Sequence, residues 1–223
     1  MRHFEKQSKI ERETYLAIDE IAEEIGLNVP YYPEVYWIGK KLEFEQICME
    51  KRYLEEYKEL KKGEALGVFL TNPKVILINK DNMEVVSEEA SHFLHYVNSK
   101  MKLDFGNIRS YFLKRILTEM LGFFGSKLIN PSRKNMYKKY QDVLPLNYNN
   151  MSEWERLIKE ARSEYDPEFI MYQQGYMLGE RLFNYYISGI EKKEVIRKLF
   201  LKNIKNSYEA LYMFLEWKEK LKS

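Results

Sequence analysis

Residues 64–81, EALGVFLTNPKVILINKD, hold two runs of β-prone residues on either side of Asn72 and Pro73. Two such runs around a turn pair predict a hairpin. Around it the chain reads as helical, and a hairpin inside a helical chain must pack in layers with its helices, which restricts the fold to an α+β plan. NVPYYPEVYWIGK, residues 28–40, carries the further β-prone run Val35–Ile38 and predicts one short strand more. The expected sheet is thus small and confined to about residues 34–79.

A helix is predicted over residues 8–26, with Ile10, Leu16, Ile18, Ile21, Ala22 and Ile25 at mostly helical spacing and Gly26 as its stop. Another is predicted at about 43–62, ending at Gly63. The hairpin's second arm, KVILIN, leads through KDNME into a third helix. From there to Ser223 the pattern stays helical, punctuated at DFGN (104–107), NPSR (130–133), DVLPLNYNN (142–150) and YDPE (165–168). With 223 residues, 45% of them hydrophobic, the chain can build one well-developed core, and a single domain over 1–223 is expected. Residues 30–130 bear the motifs and 150–223 form a helical C-terminal part.

Charge and cysteine content narrow the function. The net charge of +2 is interleaved along the chain, so no nucleic-acid footprint is present. Cys48 is the only cysteine, which excludes an internal disulfide and a cysteine-rich zinc knuckle. The charged start MRHFEKQSKIERE has no signal-peptide core, and no run approaches the length of a membrane span. A soluble, cytoplasmic protein without membrane contact is the expectation.

The third helix contains VVSEEASHFLHYV, residues 85–97. Val86, Ala90, Phe93 and Val97 form one apolar stripe flanked by Leu94. Glu88 and His92 share another face, His95 continues it, and Glu89 lies between that face and the stripe. This is the geometry of an HExxH helix with Glu88 in place of the first histidine, E-E-x-x-H. The ordinary alternative is that Glu88, His92 and His95 form a solvated face and Glu89 caps or pairs with a lysine. A symmetric di-iron centre would need a second Glu-x-x-His pair, which the three histidines (His3, His92, His95) do not provide.

The order helix, strand, helix, hairpin, E-E-x-x-H helix resembles the zincin metallopeptidases, specifically the gluzincin branch. The segment GVFLTNPKVILIN followed by VVSEEASHFLHYV is similar to the edge strand and active-site helix of that family, and the likeness covers roughly residues 30–130. The resemblance implies metal ligation by Glu88 and His92, a general base at Glu89, and a peptide or protein substrate paired with the edge strand. It also implies a third ligand, a glutamate on a later helix. Glu119 suits that place, a lone acidic residue among Ile116, Leu117, Met120, Leu121 and Phe123 in SYFLKRILTEMLGFFGSKLI (110–129), where a carboxylate asks for a partner. An ion pair with Arg115, four residues before it, would answer the same need.

A Glu-His-Glu set has harder donors than His₂Glu. The implied cofactor is a divalent metal, zinc first, with manganese or iron as alternatives. The extra carboxylate also weakens the metal as a Lewis acid, so the resemblance carries two functions, a metal-dependent peptidase or an inactive zincin-like pseudo-peptidase that binds peptides or proteins. His95 is a candidate supporting residue near the ligands. In YDPEFIMYQQGYMLGERLFNYYISG (165–189), Gly175 and Gly179 permit a close helix contact, and Tyr172 or Tyr176 is a candidate oxyanion donor or else a core aromatic. Gln174 is a poorer candidate than Glu119 for the third ligand. The amphipathic helices from about 191 to 221 close the core or form a homodimer face.

Overall fold

The computed structural model describes residues 3–38, 66–71, 74–78, 82–101, 108–136, 167–189 and 191–221. Among them the chain forms six helices and a three-stranded sheet, a predominantly helical α+β arrangement. The order is α1 (His3–Ile25), β1 (Glu34–Trp37), β2 (Gly67–Thr71), β3 (Lys74–Ile78), α2 (Met83–Ser99), α3 (Ile108–Ile129), α4 (Pro167–Ile187), α5 (Lys192–Leu201) and α6 (Ser207–Lys220). The helix expected at 43–62, Cys48 and the DVLPLNYNN segment lie outside the described residues.

The apolar stripe of α1 is buried at Ile10, Ala17, Ile18, Ile21, Ala22 and Ile25. Leu16, expected with them, is 51% exposed, because it lies roughly a third of a turn away from the Ile10 line. The helix stops at Gly26, whose φ of 75° is the left-handed conformation that glycine adopts without a Cβ clash. The N–H groups of Gly26 and Leu27 both donate to the Ala22 carbonyl, at 2.8 Å.

The hairpin forms as read. β2 runs antiparallel to β3 with Thr71 opposite Lys74, and β1 pairs parallel on the other side of β3. β3 is therefore central, and Val75, Ile76, Leu77 and Ile78 are completely buried, which is why they read as an unbroken apolar run. Beyond β1, the Gln7 side chain donates to the Val35 carbonyl and accepts from the Trp37 N–H, both at 2.7 Å.

α2 starts at Asn82, whose side chain accepts from the Glu84 N–H at 2.9 Å. It ends at Lys100, left-handed at φ 55°, whose N–H closes on the Tyr96 carbonyl at 2.9 Å. Its apolar stripe packs inward, but so does its polar face: Ser87, Glu88, Glu89, Ser91, His92 and His95 are all buried. α1, α3, α5, β2 and β3 surround it. The solvated-face reading of this helix does not hold.

The glycines of α4 do what their spacing suggested. A Cβ at Gly175 would lie 2.3 Å from the Cβ of Glu119, and one at Gly179 would lie 2.6 Å from the Met120 carbonyl, so α4 lies directly on α3. One apolar core draws on all six helices, with Ile196, Leu199 and Phe200 of α5 and Ala210, Met213, Phe214 and Trp217 of α6 closing it. No described helix is long and apolar enough to cross a membrane.

Candidate metal centre

Glu88 and His92 sit one turn apart on α2, and α3 brings Glu119 against them. Each residue is buried and offers one donor atom, and the three atoms lie within 4.8 Å of one another. This group can hold a metal ion. His92 Nε2 is 3.7 Å from Glu119 Oε2, while His92 Nδ1 is buried without a hydrogen-bond partner among the described residues. Burial first, then the nearby Arg115, His95 and Arg133, hold the imidazole well below its usual range. It is therefore neutral, the form that ligates metals.

The close approach of α3 depends on Gly122. A Cβ there would lie 2.3 Å from His92 Cε1 and 2.7 Å from Nε2. The imidazole occupies the space a side chain would take. Two carboxylates and a neutral imidazole, all three buried, form a donor set that fits a divalent cation.

Glu89 is also buried but lies toward the sheet. Its Cγ would be 3.0 Å from a Cβ at Gly67, and the Phe69 backbone N–H donates to its carboxyl. Burial, followed by the nearby Glu88 and Glu119 charges, pushes its pKa well above the usual carboxylate range, with Arg115 and the Phe69 amide opposing. Glu89 thus stands between the three-donor group and β2.

Two guanidinium groups balance the carboxylates. Arg115 Nη2 is 3.2 Å from Glu119 Oε1, the ion pair that the sequence offered as an alternative, and Arg133 Nη2 donates to Glu88 Oε2 at 2.6 Å. Arg115 also donates to the Tyr172 hydroxyl at 3.0 Å. The Tyr176 hydroxyl accepts from Arg133 Nη2 at 3.3 Å and hydrogen-bonds Glu88. Burial, then the Glu88 charge, raises Tyr176 well above its usual range, so it stays a protonated phenol.

The structure thus brings Glu88, His92, Glu119, Glu89 and Tyr176 together and places Tyr172 one step out, on Arg115. His95 packs edge-on to Phe200 of α5, with ring centroids 6.1 Å apart, and is not one of the three grouped donors. Burial lowers it to about 4. Gln174 is buried on α4 beside Gly175.

Sequence reasoning missed Arg133 and Gly122. Arg133 sits in the NPSR punctuation after α3, where an arginine looks like an exposed turn residue. The available signal was the unbalanced charge of Glu88, which calls for a cation but does not say from where. No protein-family model matches the chain, and comparisons with curated proteins and with solved structures return no match.

Proposed function

We propose that the protein is a zincin-like, metal-dependent peptidase of the gluzincin type, in which Glu88, His92 and Glu119 hold a divalent cation and Glu89 is the general base. The observation that carries this reading is the convergence of three buried donors from two helices, with Glu89 held between them and β2. The order hairpin, then E-E-x-x-H helix, then glutamate on the next helix supports it.

A divalent cation bound here would polarise the scissile carbonyl and make a nearby water more acidic. Glu89 receives the proton from that water. Burial, and after it the Glu88 and Glu119 charges, raises the Glu89 carboxyl above the usual range, and positive charge that neutralises those two carboxylates removes the second of these influences and strengthens Glu89 as an ionised base. The peptide lies along β2, the edge opposite the one at which Gln7 bonds β1, by strand addition through backbone groups other than the Phe69 N–H, which Glu89 holds. The Phe69 N–H bond ties the base to that strand. Zinc is the first choice of metal, with manganese and iron suited to the two carboxylates.

Elemental analysis of protein purified without chelator is the first test. Near-stoichiometric metal in the parent, lost in His92→Ala and Glu119→Ala, is the expected result. Peptide-library cleavage that Glu89→Gln abolishes while metal is retained completes it. No metal after incubation with zinc, manganese and iron would sink the reading.

The Glu88–Arg133 ion pair at 2.6 Å favours a second reading, a pseudo-peptidase that binds a peptide or protein without cutting it. There Arg115 and Arg133 balance Glu119 and Glu88 with no cation. This reading expects peptide binding that a chelator does not alter.

A further inference from the structure

Glu88 stands where the HExxH pattern has a neutral imidazole, so the site carries one extra buried negative charge. A buried carboxylate has to be compensated. Arg133 does this, and it is itself only 6% exposed. Its Nη2 donates to Glu88 Oε2 at 2.6 Å and its Nη1 to the Glu84 carbonyl at 3.2 Å. The guanidinium carbon lies 4.7 Å from the Phe123 ring centre and 5.2 Å from that of Tyr176.

The turn that carries Arg133 is tied down as well. Its N–H donates to the Asn130 carbonyl at 2.9 Å, and Lys127 Nζ donates to the Pro131 and Arg133 carbonyls at 2.9 and 3.0 Å. A buried lysine thus fixes the backbone from which the arginine reaches Glu88. Such an arginine is a built part of the site, not a surface side chain that happens to fold inward.

We propose that Arg133 is a tethered cation that makes Glu88 tolerable in place of a histidine and competes electrostatically with a divalent ion for that carboxylate, so that the Glu88–Arg133 pair sets metal affinity. This rests on the metal-binding reading above. Arg133 holds Glu88 Oε2 and the Tyr176 hydroxyl also bonds that carboxylate, which disfavours two-point ligation and makes Glu88 a single-point ligand, as a histidine would be. The pair is close to neutral, again like the imidazole it replaces. Its positive end repels an incoming metal, so the three donors bind less tightly than they would without it.

The test uses chelator-stripped full-length protein, calorimetric titration with zinc and manganese, and thermal melting, on the parent, Arg133→Met, Glu88→Gln and the double variant. Arg133→Met is expected to bind metal at least about tenfold tighter, because a positive charge next to the ion is removed. Without metal its Tm drops by about 10 °C, since one partner of a buried pair is left alone, and saturating zinc restores it. Adding Glu88→Gln to Arg133→Met recovers most of the metal-free Tm. If Arg133→Met does not fold, Arg133→Lys keeps the charge and should stay within about threefold of the parent affinity; a tenfold gain there overturns the proposal. Metal uptake by the parent with unchanged or weaker affinity in Arg133→Met removes this inference alone. No uptake by any of the proteins removes the metal-binding reading and the inference with it.

Discussion

Gly122→Ala separates metal binding from folding. A methyl group at this position would lie 2.3 Å from His92 Cε1, 2.7 Å from Nε2 and 3.0 Å from Nδ1. Carbon atoms in contact sit about 3.5–4.0 Å apart, so the imidazole must move by more than about 1 Å. Ligand positions tolerate only about 0.2 Å, so metal affinity should fall by about 100-fold or more. Stability changes far less. Overpacking costs about 1–3 kcal/mol, and alanine returns about 1 kcal/mol of helix propensity over glycine, leaving a net loss of about 0–2 kcal/mol. Melting curves and calorimetric metal titration read the two effects. Gly125→Ala is the control, because its methyl meets Ser91 at 2.4–2.5 Å, threatens the 2.8 Å bond from Ser91 to the Leu121 carbonyl, and faces no ligand. It should lose stability and keep metal. Parent-like affinity in Gly122→Ala, or equal metal loss in both variants, would refute the packing account of His92.

Three further outcomes follow from the geometry. His95 is lowered from 6.5 to about 4 by burial, so its contribution is fully present above about pH 6.5 and is lost as pH falls toward 4, up to about 3 kcal/mol. Urea midpoints at pH 7 and pH 4.5 should differ less in His95→Gln than in the parent, and that comparison isolates His95 from His92, which burial also keeps neutral. Asn82→Ala removes the cap on Glu84 N–H and should cost about 1 kcal/mol in a denaturation curve without changing metal affinity. Gly67→Ala puts a methyl 2.6 Å from Val85 Cγ1 and 3.0 Å from Glu89 Cγ. It should push β2 off α2, costing about 1–3 kcal/mol, and, under the proposed peptidase function, reduce peptide cleavage much more than metal binding.

The parts of the fold set by local chemistry were legible. Asn72-Pro73 separates two runs that pair as β2 and β3, Gly26 ends α1 at positive φ, and α4 begins at Pro167, within the YDPE punctuation. The donor set was legible too, because Glu88 and His92 are one helical turn apart and Glu119 is conspicuous among apolar neighbours. What the chain could not disclose locally was which side of α2 faces water. None does along its central turns, since the polar face meets α3 through Gly122 and Gly125. Periodicity reports contrast between faces, and a helix enclosed on all sides by both apolar and polar contacts defeats it. Arg133 was hidden for a related reason. Its partner lies 45 positions away in sequence, and only the packing of the α3 turn against α2 joins them.

Gln7 has a consequence for how this sheet behaves among other molecules. Its amide presents one donor and one acceptor to alternate residues of β1, the same pair a neighbouring strand would present. A single side chain from a helix thus imitates a strand and ends the sheet on that side, so that β1 is an edge that does not invite another strand at these two residues. Replacing Gln7 with alanine would expose the Val35 carbonyl and Trp37 N–H to any extended chain nearby, and would turn a protected border into a site for unintended pairing.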